Sequence, residues 1–378
     1  MPPRRVLLII FSLSLSLHLY IGWRLLAAPD GLGAPPAVVL ALLVSALATP
    51  SSLLLRALKP SRQVDALSWI GLCWLGLFSL TLSLTVARDA LLALLWLFMP
   101  SRLVLLSKLT AQGVAVLAPL LLVIGIYNAR RTAAVRRVDV ALADLPPELE
   151  GFTLAQLSDI HVGPTIKRGY LARIVRATNA LDADVVVITG DVVDGSVRQL
   201  AAHVRPLADL TGREGVYLVT GNHEYYAGAR EWINVFRQQG LTVLENSHVV
   251  LRRGTASLVL AGVTDYSASH FEGGAPSDPR AALSGAPAEA AARILLAHQP
   301  RSATAAAAAG FDLQLSGHTH GGQFAPWNWL VPLQQPFVSG LHRIGRLQIY
   351  TSRGTGYWGP PVRLFAPSEI TLLRLRRG

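Results

Sequence analysis

The sequence predicts a layered α/β domain preceded by an all-α membrane region. Three observations predict it. The first third of the chain holds four long apolar stretches without a charged residue. From Gly151 onward, short runs rich in Val, Ile and Leu alternate with helix-like runs, the pattern of an α/β layered domain. Five segments of this later part place His, Asp or Asn directly after a β-rich or apolar run, where a strand gives way to a loop.

The apolar stretches are 6–23, 37–55, 66–87 and 109–127. Each approaches the roughly 17–25 residues a spanning helix needs. Pro50 and Pro119 are tolerable there, because neighbouring helices re-satisfy the freed backbone groups. A fifth apolar piece, 90–99, runs only ten residues before Pro100 and reads as interfacial or re-entrant. Four long uncharged runs are too many for a soluble helical core.

The net charge is +11 over 378 residues, with 51% hydrophobic content. Residues 1–137 carry 13 Lys and Arg against 3 Asp and Glu, whereas residues 138–378 carry 21 against 20. A nucleic-acid binder is expected to carry its positive patch on the folded domain. Charge beside apolar segments reads instead as topology. With four spans, Arg4, Arg5, Arg56, Lys59, Arg62, Arg130, Arg131, Arg136 and Arg137 share one side, against Arg24, Arg88, Arg102 and Lys108. That bias places both the N-terminus and the C-terminal domain in the cytoplasm, in a multi-pass inner-membrane protein. If 90–99 also spanned, the domain would flip outward and the bias would nearly vanish. The single Cys73 excludes an intrachain disulfide.

Three regions are expected: a membrane region over 1–127, a basic juxtamembrane linker over 128–150, and a folded domain over 151–378. A strand is expected early, at 139–142, then at 154–157, 185–189, 216–220, 258–263, 294–297 and 347–351. Helices are expected over 170–181, 197–210 and 229–239, with an Ala-rich helix at 303–309. The Gly- and Pro-rich stretch 270–289 reads as a surface insertion. Trp327, Trp329 and Phe337 read as packing residues in a loop.

The five loop-entry segments are Ser158-Asp159-Ile160-His161, Gly190-Asp191, Gly221-Asn222-His223-Glu224, His298-Gln299 and Gly317-His318-Thr319-His320. A lone His at a strand end is ordinarily a hydrogen-bonded structural residue. Five such segments in one domain are hard to explain as packing. Carboxylates, imidazoles and one amide, without a thiolate, suit borderline divalent metals such as Mn, Fe, Zn, Co or Ni. The set is too large for one open catalytic ion and suits two.

All five blocks, in this order, resemble the calcineurin-like metallophosphoesterase superfamily, over about residues 152–375. The subgroup it resembles is bacterial and membrane-anchored, on Leu157 to His161, Gly317 to Gln323 and Ser352-Arg353-Gly354. The resemblance implies a four-layer α/β/β/α sandwich with a dimetal site at its loops. It implies that Asp159, His161 and His320 hold one ion, that Asp191 bridges, and that Asn222, His298 and His318 hold the other. His223 is then the catalytic acid, contacting the phosphate and protonating the leaving oxygen, with Asp159 as its orienting partner. The implied reaction is hydrolysis of a phosphodiester or pyrophosphate bond by metal-activated water, in a lipid-linked or nucleotide substrate. Two alternatives stay open: a phosphomonoesterase on soluble substrates, and a silent membrane metal sensor. Arg353 reads either as a phosphate grip or as a salt-bridge residue. Nucleic acid is a disfavoured partner on the domain's charge, and transport is disfavoured because no span contains a charge.

Overall fold

The computed structural model describes residues 4–27, 33, 35–54 and 61–378. The chain divides into a helical unit, ending at Arg130 and joined by Gly359–Leu364, and a second unit of Arg131–Trp358 and Phe365–Gly378.

The helical unit contains α1 (Arg4–Gly22), α2 (Pro36–Leu54), α3 (Arg62–Phe98) and α4 (Leu103–Arg130). Ser61 opens α3 by accepting the Val64 N–H, 3.1 Å away. Pro100 closes it, since a proline cannot continue the ladder. Arg4–Leu26, Arg62–Phe98 and Pro100–Arg130 are long and apolar enough to cross a membrane by length and composition, while Pro36–Ser51 is a shorter apolar helix. The four expected spans therefore become three of full length and one shorter. Leu55, the expected end of the second span, and Arg56 and Lys59 beside it lie outside the described residues.

The expected separate piece 90–99 does not exist. α3 runs unbroken through it as a 37-residue helix, about 55 Å long. Nothing between Ala87 and Ala90 breaks a helix, and the charges of Arg88 and Asp89 are answered inside the unit. The premise that the spanning helices hold no charge is corrected with it. The outer surface is apolar, with Leu8, Ile9, Leu97 and Phe98 exposed, while Gly71, Gly76, Ser79 and Ser83 of α3 are buried. Small residues at helix interfaces let backbones approach closely. The segment Gly359–Leu364 packs into this unit. Arg363 donates its backbone N–H to the Gly125 carbonyl at 3.0 Å, and Asn128 donates to the Arg363 carbonyl at 3.2 Å.

In the second unit the strands are β1 (Ala134–Leu142), β2 (Thr153–Leu157), β3 (Val185–Thr189), β4 (Val216–Val219), β5 (Thr242–Val243), β6 (Ser247–Arg253), β7 (Ala256–Gly262), β8 (Ala292–Leu296), β9 (Leu313–Ser316), β10 (Gly340–Ile344), β11 (Leu347–Thr351) and β12 (Glu369–Arg377). They form two six-stranded mixed sheets, ordered β1-β12-β2-β3-β4-β5 and β10-β11-β9-β8-β7-β6. Leu154, Val185, Val187 and Val219 of the first sheet share one buried core with Leu258, Leu260, Ile294, Leu296, Leu313 and Leu315 of the second. Full burial of each such side chain contributes about 1.5–3 kcal/mol.

Alternation along the strands sends Val186 and Ile188 to the opposite face of the first sheet. The helices α5 (Arg168–Asn179), α6 (Val197–Val204), α7 (Asn222–Ala227) and α8 (Ala229–Gln238) follow its strands, and α5 and α8 bury Leu171, Ile174, Trp232 and Phe236. The far face of the second sheet packs Val259, Leu295 and Ile349 against the helix Ala303–Ala309. The order is helix, sheet, sheet, helix.

Four further expectations are corrected. The stretch 128–150 is not a linker, because α4 runs to Arg130 and β1 pairs in parallel with β12 from Ala134 onward. The helix over 197–210 stops at Val204 and tightens to a 3₁₀ turn at Pro206, whose ring cannot serve an α-helical interior. Trp327 and Trp329 are not packed. They are exposed, together with Leu330 and Leu333. The stretch 270–289 is partly anchored, since Ala282 is buried in the outer core of the second sheet.

Candidate metal centre

Every segment that the sequence marks lies at the carboxyl end of a strand. β2 delivers Asp159 and His161, β3 delivers Asp191, β4 delivers Asn222 and His223, β8 delivers His298, and β9 delivers His318 and His320. Five of these residues have left-handed backbones: Asp159 (φ 52°), His161 (55°), Asp191 (53°), His318 (71°) and His320 (51°). A non-glycine residue there costs about 1–3 kcal/mol and persists where its surroundings over-determine it. The clustering at one place marks a functional constraint. Two glycines make room: a Cβ on Gly221 would collide with Asp191, and one on Gly317 with Ser158 and Asp159.

The side chains converge. Asp159, His161 and His320 form one triad, Asp191, His298 and His318 a second, and within each the ligand-competent atoms lie within 4.8 Å of one another. His298 Nδ1 faces the Thr189 carbonyl at 2.7 Å, so Nδ1 carries the proton. Its Nε2 is left facing Asp191 Oδ2 at 3.1 Å and His318 Nδ1 at 3.2 Å. Likewise His161 gives Nδ1 to Asp194 at 2.9 Å and turns Nε2 on His320 Nε2 at 3.0 Å. The buried Asn222 Oδ1 has no hydrogen-bond partner among the described residues. Lone pairs that face lone pairs in a buried site are stable around a cation, and the residues present fit a divalent metal.

The electrostatics agree. Burial opposes a charge on His298, yet Asp191 holds its ring well above the ordinary value. The site calls for positive charge, which a metal ion supplies as well as a proton does. Burial and then the neighbouring His298 charge push His318 down to about 3, leaving a neutral imidazole suited to ligation. Asp159 is raised by burial, and the Asp191 carboxylate adds to that.

His223 stands beside both triads. Its Nδ1 lies 2.5 Å from Asp194 Oδ1, and its Nε2 lies 4.0 Å from Asp191 Oδ2. Burial works against its charge, but Asp191 and Asp194 more than offset that and raise it to about 9. Its orienting partner is therefore Asp194 and not the expected Asp159, whose carboxylate accepts the His318 backbone N–H instead. Asp194 also holds His161, so one carboxylate sets two imidazoles. Its signal was the second Asp of Gly190-Asp191-Val192-Val193-Asp194. Glu224 has no role that the sequence motif alone reveals. It is buried and accepts the backbone N–H groups of Asp191, Val192 and Gly221 at 3.0, 2.8 and 2.7 Å, locking two ligand loops together. Arg353 is ion-paired through Nε to Glu369 at 3.0 Å, which is the salt-bridge alternative.

Residues 152–322 match the family described as calcineurin-like phosphoesterase. A metallophosphoesterase of Campylobacter jejuni is 36% identical over 263 residues, covering 69% of this chain and 68% of that protein. This chain belongs to the calcineurin-like metallophosphoesterases. A Danio rerio protein named as a transmembrane protein with a metallophosphoesterase domain is 39% identical over 270 residues, 69% of this chain and 62% of that protein. A Helicobacter pylori metallophosphoesterase is 37% identical, with 66% of each chain covered. The chain thus spans rather less than two thirds of the fish relative. The family is one of metal-dependent phosphoester hydrolases, and the helices of this chain fit association with a membrane by length and composition.

Proposed function

We propose that this metallophosphoesterase is a multi-pass inner-membrane enzyme that hydrolyses a phosphodiester or pyrophosphate bond in a lipid-linked or nucleotide substrate. The observation that carries the hydrolytic reading is the meeting of two Asp/His triads beside a histidine whose far nitrogen is already fixed by a carboxylate. Asp159, His161 and His320 would hold one divalent ion, Asn222, His298 and His318 the other, with Asp191 shared. Ions bound there supply positive charge against the phosphoryl oxygens and lower the proton affinity of water.

The chain's own residues do the rest. Glu224 fixes the loops that carry Asp191 and Asn222. Asp194 holds the Nδ1 side of His223, so Nε2 faces the site and delivers a proton to the departing oxygen. Asp194, hydrogen-bonded to that imidazole and outside the ligand set, favours its charged form, as a proton donor requires.

Lipid-linked substrates are supported by the apolar helices and by exposed Trp327, Trp329, Leu330 and Leu333 in the short helical segment after His320. Rings of this kind favour the boundary between apolar and aqueous surroundings. The bias of Lys and Arg supports a cytoplasmic catalytic unit, with α2 as the fourth crossing. Full-length protein in lipid, stripped of metal and reloaded, is assayed on an activated diester, a pyrophosphate and the matching monoester. Metal-dependent turnover of the first two above the monoester is expected. Turnover confined to the monoester would sink the diester reading. Accessibility of cysteines placed near each end of the chain reads the orientation, and an outward-facing Gly378 would overturn it.

A further inference from the structure

His223 is ringed by aromatic side chains that neither the metal centre nor proton delivery requires. Tyr226, one turn further along α7, packs edge-on against the imidazole with centroids 5.2 Å apart and planes at 69°. Trp358 does the same at 5.7 Å and 74°. Phe271 backs Tyr226 at 5.4 Å. Despite these contacts the two rings nearest the histidine stay open to solvent, Tyr226 at 63% and Trp358 at 43% exposure. Large rings left open beside a reacting group have apolar surface available to a ligand.

The arrangement is built and not incidental. Trp358 is held by a reciprocal pair of hydrogen bonds: its backbone N–H donates to Gln323 Oε1 and its carbonyl accepts from Gln323 Nε2, both at 2.9 Å. Gln323 is itself buried and sits at a left-handed φ of 52°, three residues after His320. The loop that carries two metal-ligand candidates thus also fixes the backbone of the residue whose indole lies against the catalytic imidazole. Tyr226 and His223 share one short helix, so their spacing is set by the backbone.

We propose that Tyr226, Phe271 and Trp358 form the leaving-group subsite, and that it takes a planar unsaturated ring, as a nucleobase or comparable aryl group would offer. This rests on the phosphoesterase reading above, because the group that His223 protonates must lie against these rings. Rigid flat walls match a flat ligand: a base stacked on an aromatic side chain gains about 1–3 kcal/mol. A flexible chain gains only its buried area and loses rotamer freedom.

The test uses two methyl phosphodiesters, one of 2-naphthylethanol and one of decanol. Their leaving alkoxides are similarly basic, and each variant is compared with wild type on the same ester. Full-length protein is used at equal metal content. Tyr226→Ala and Trp358→Ala are expected to lower kcat/KM for the naphthylethyl ester roughly ten- to a hundredfold more than for the decyl ester. Trp358→Phe, which keeps a ring, should restore most of the difference. Equal losses on the two esters, or a larger loss on the decyl ester, would overturn the planar-ring assignment, the latter in favour of an aliphatic chain.

Calorimetric binding of the two corresponding non-hydrolysable phosphonates reads the subsite without turnover. Discrimination in binding that is lost in Trp358→Ala supports the subsite even if wild type hydrolyses neither ester, a result that would count against the phosphoesterase reading alone. Equal binding of both phosphonates by wild type overturns the subsite.

Discussion

Two clusters of charge lie inside this chain, and they follow opposite rules. In the helical unit Asp89 accepts from Tyr20 at 2.7 Å, from Arg24 at 2.8 and 2.9 Å and from Arg88 at 3.0 Å. Arg88 goes on to donate to Ser107 and Thr110. Donors meet acceptors throughout. In the candidate metal centre, imidazole nitrogens face one another at 3.0 and 3.2 Å, Asn222 Oδ1 has no hydrogen-bond partner among the described residues, and five backbones are strained. Buried polar groups are normally paired, so the satisfied cluster reads as structure and the other as a site shaped for a ligand. Residue types point the same way, since the guanidiniums of Arg24 and Arg88 only donate whereas imidazoles can ligate an ion.

The sharpest way to break the contrast is Asp191→Asn. Asp191 Oδ2 lies 3.1 Å from His298, 3.8 Å from His161 and 4.0 Å from His223, touching both triads. Metal analysis should show lost occupancy and hydrolysis should disappear. An active variant with full metal would end the bridging assignment. His223→Ala should behave differently. It keeps its metal, and its rate falls about 10²–10⁴-fold, the usual contribution of a positioned proton donor. Metal loss in this variant would make His223 a ligand.

The satisfied cluster predicts stability and not turnover. Asp89→Ala leaves Arg24 and Arg88 without their carboxylate. Breaking a fully buried pair costs about 3–5 kcal/mol, and partial exposure of Asp89 puts this case at or below about 3 kcal/mol. Thermal unfolding in lipid measures it, and unchanged stability with lost activity would turn the cluster into a functional site. Asp194→Asn probes the boundary between the two rules, because Asp194 is well paired yet serves the site. Burial opposes its charge, but His161 and His223 hold its carboxyl far below the usual range. Activity should fall roughly 10–100-fold with the fold intact, as for partners that orient ligands.

The same contrast explains what was legible in the sequence. The metal-centre side chains each follow a strand in a short motif, so local reading reaches them. Asp194 and Glu224 were harder, because their roles depend on which loops meet: Glu224 after β4 answers backbone groups after β3. Strand β12 was missed, although it lies between β1 and β2 and completes the first sheet. Its run of Arg374, Arg376 and Arg377 masks the alternation, and only pairing reveals Asp139 and Glu150 as partners of Arg376. In the helical unit, Arg88-Asp89 looked like the end of a span because a charge ordinarily ends one. The partner that lets the helix continue, Arg24, is 65 residues away. Local chemistry was readable, and long-range compensation was not.

Gly125→Val tests that last point at its mildest. Gly125 lies inside α4, where a glycine weakens a helix by about 1 kcal/mol relative to Ala, so its own helix gives no reason for it. The reason is the segment Gly359–Leu364, distant in sequence, whose Val362 Cγ1 would stand 2.5 Å from a Cβ placed on Gly125. Adding a side chain should improve the helix locally and still destabilise the unit, by about 1–3 kcal/mol as in overpacked cores. Val362→Ala in the same chain should recover part of the loss, because it removes the colliding methyl. Thermal unfolding of the single and double variants reads both. A single variant as stable as wild type would mean that the segment does not pack against α4, and the close approach would lose its explanation.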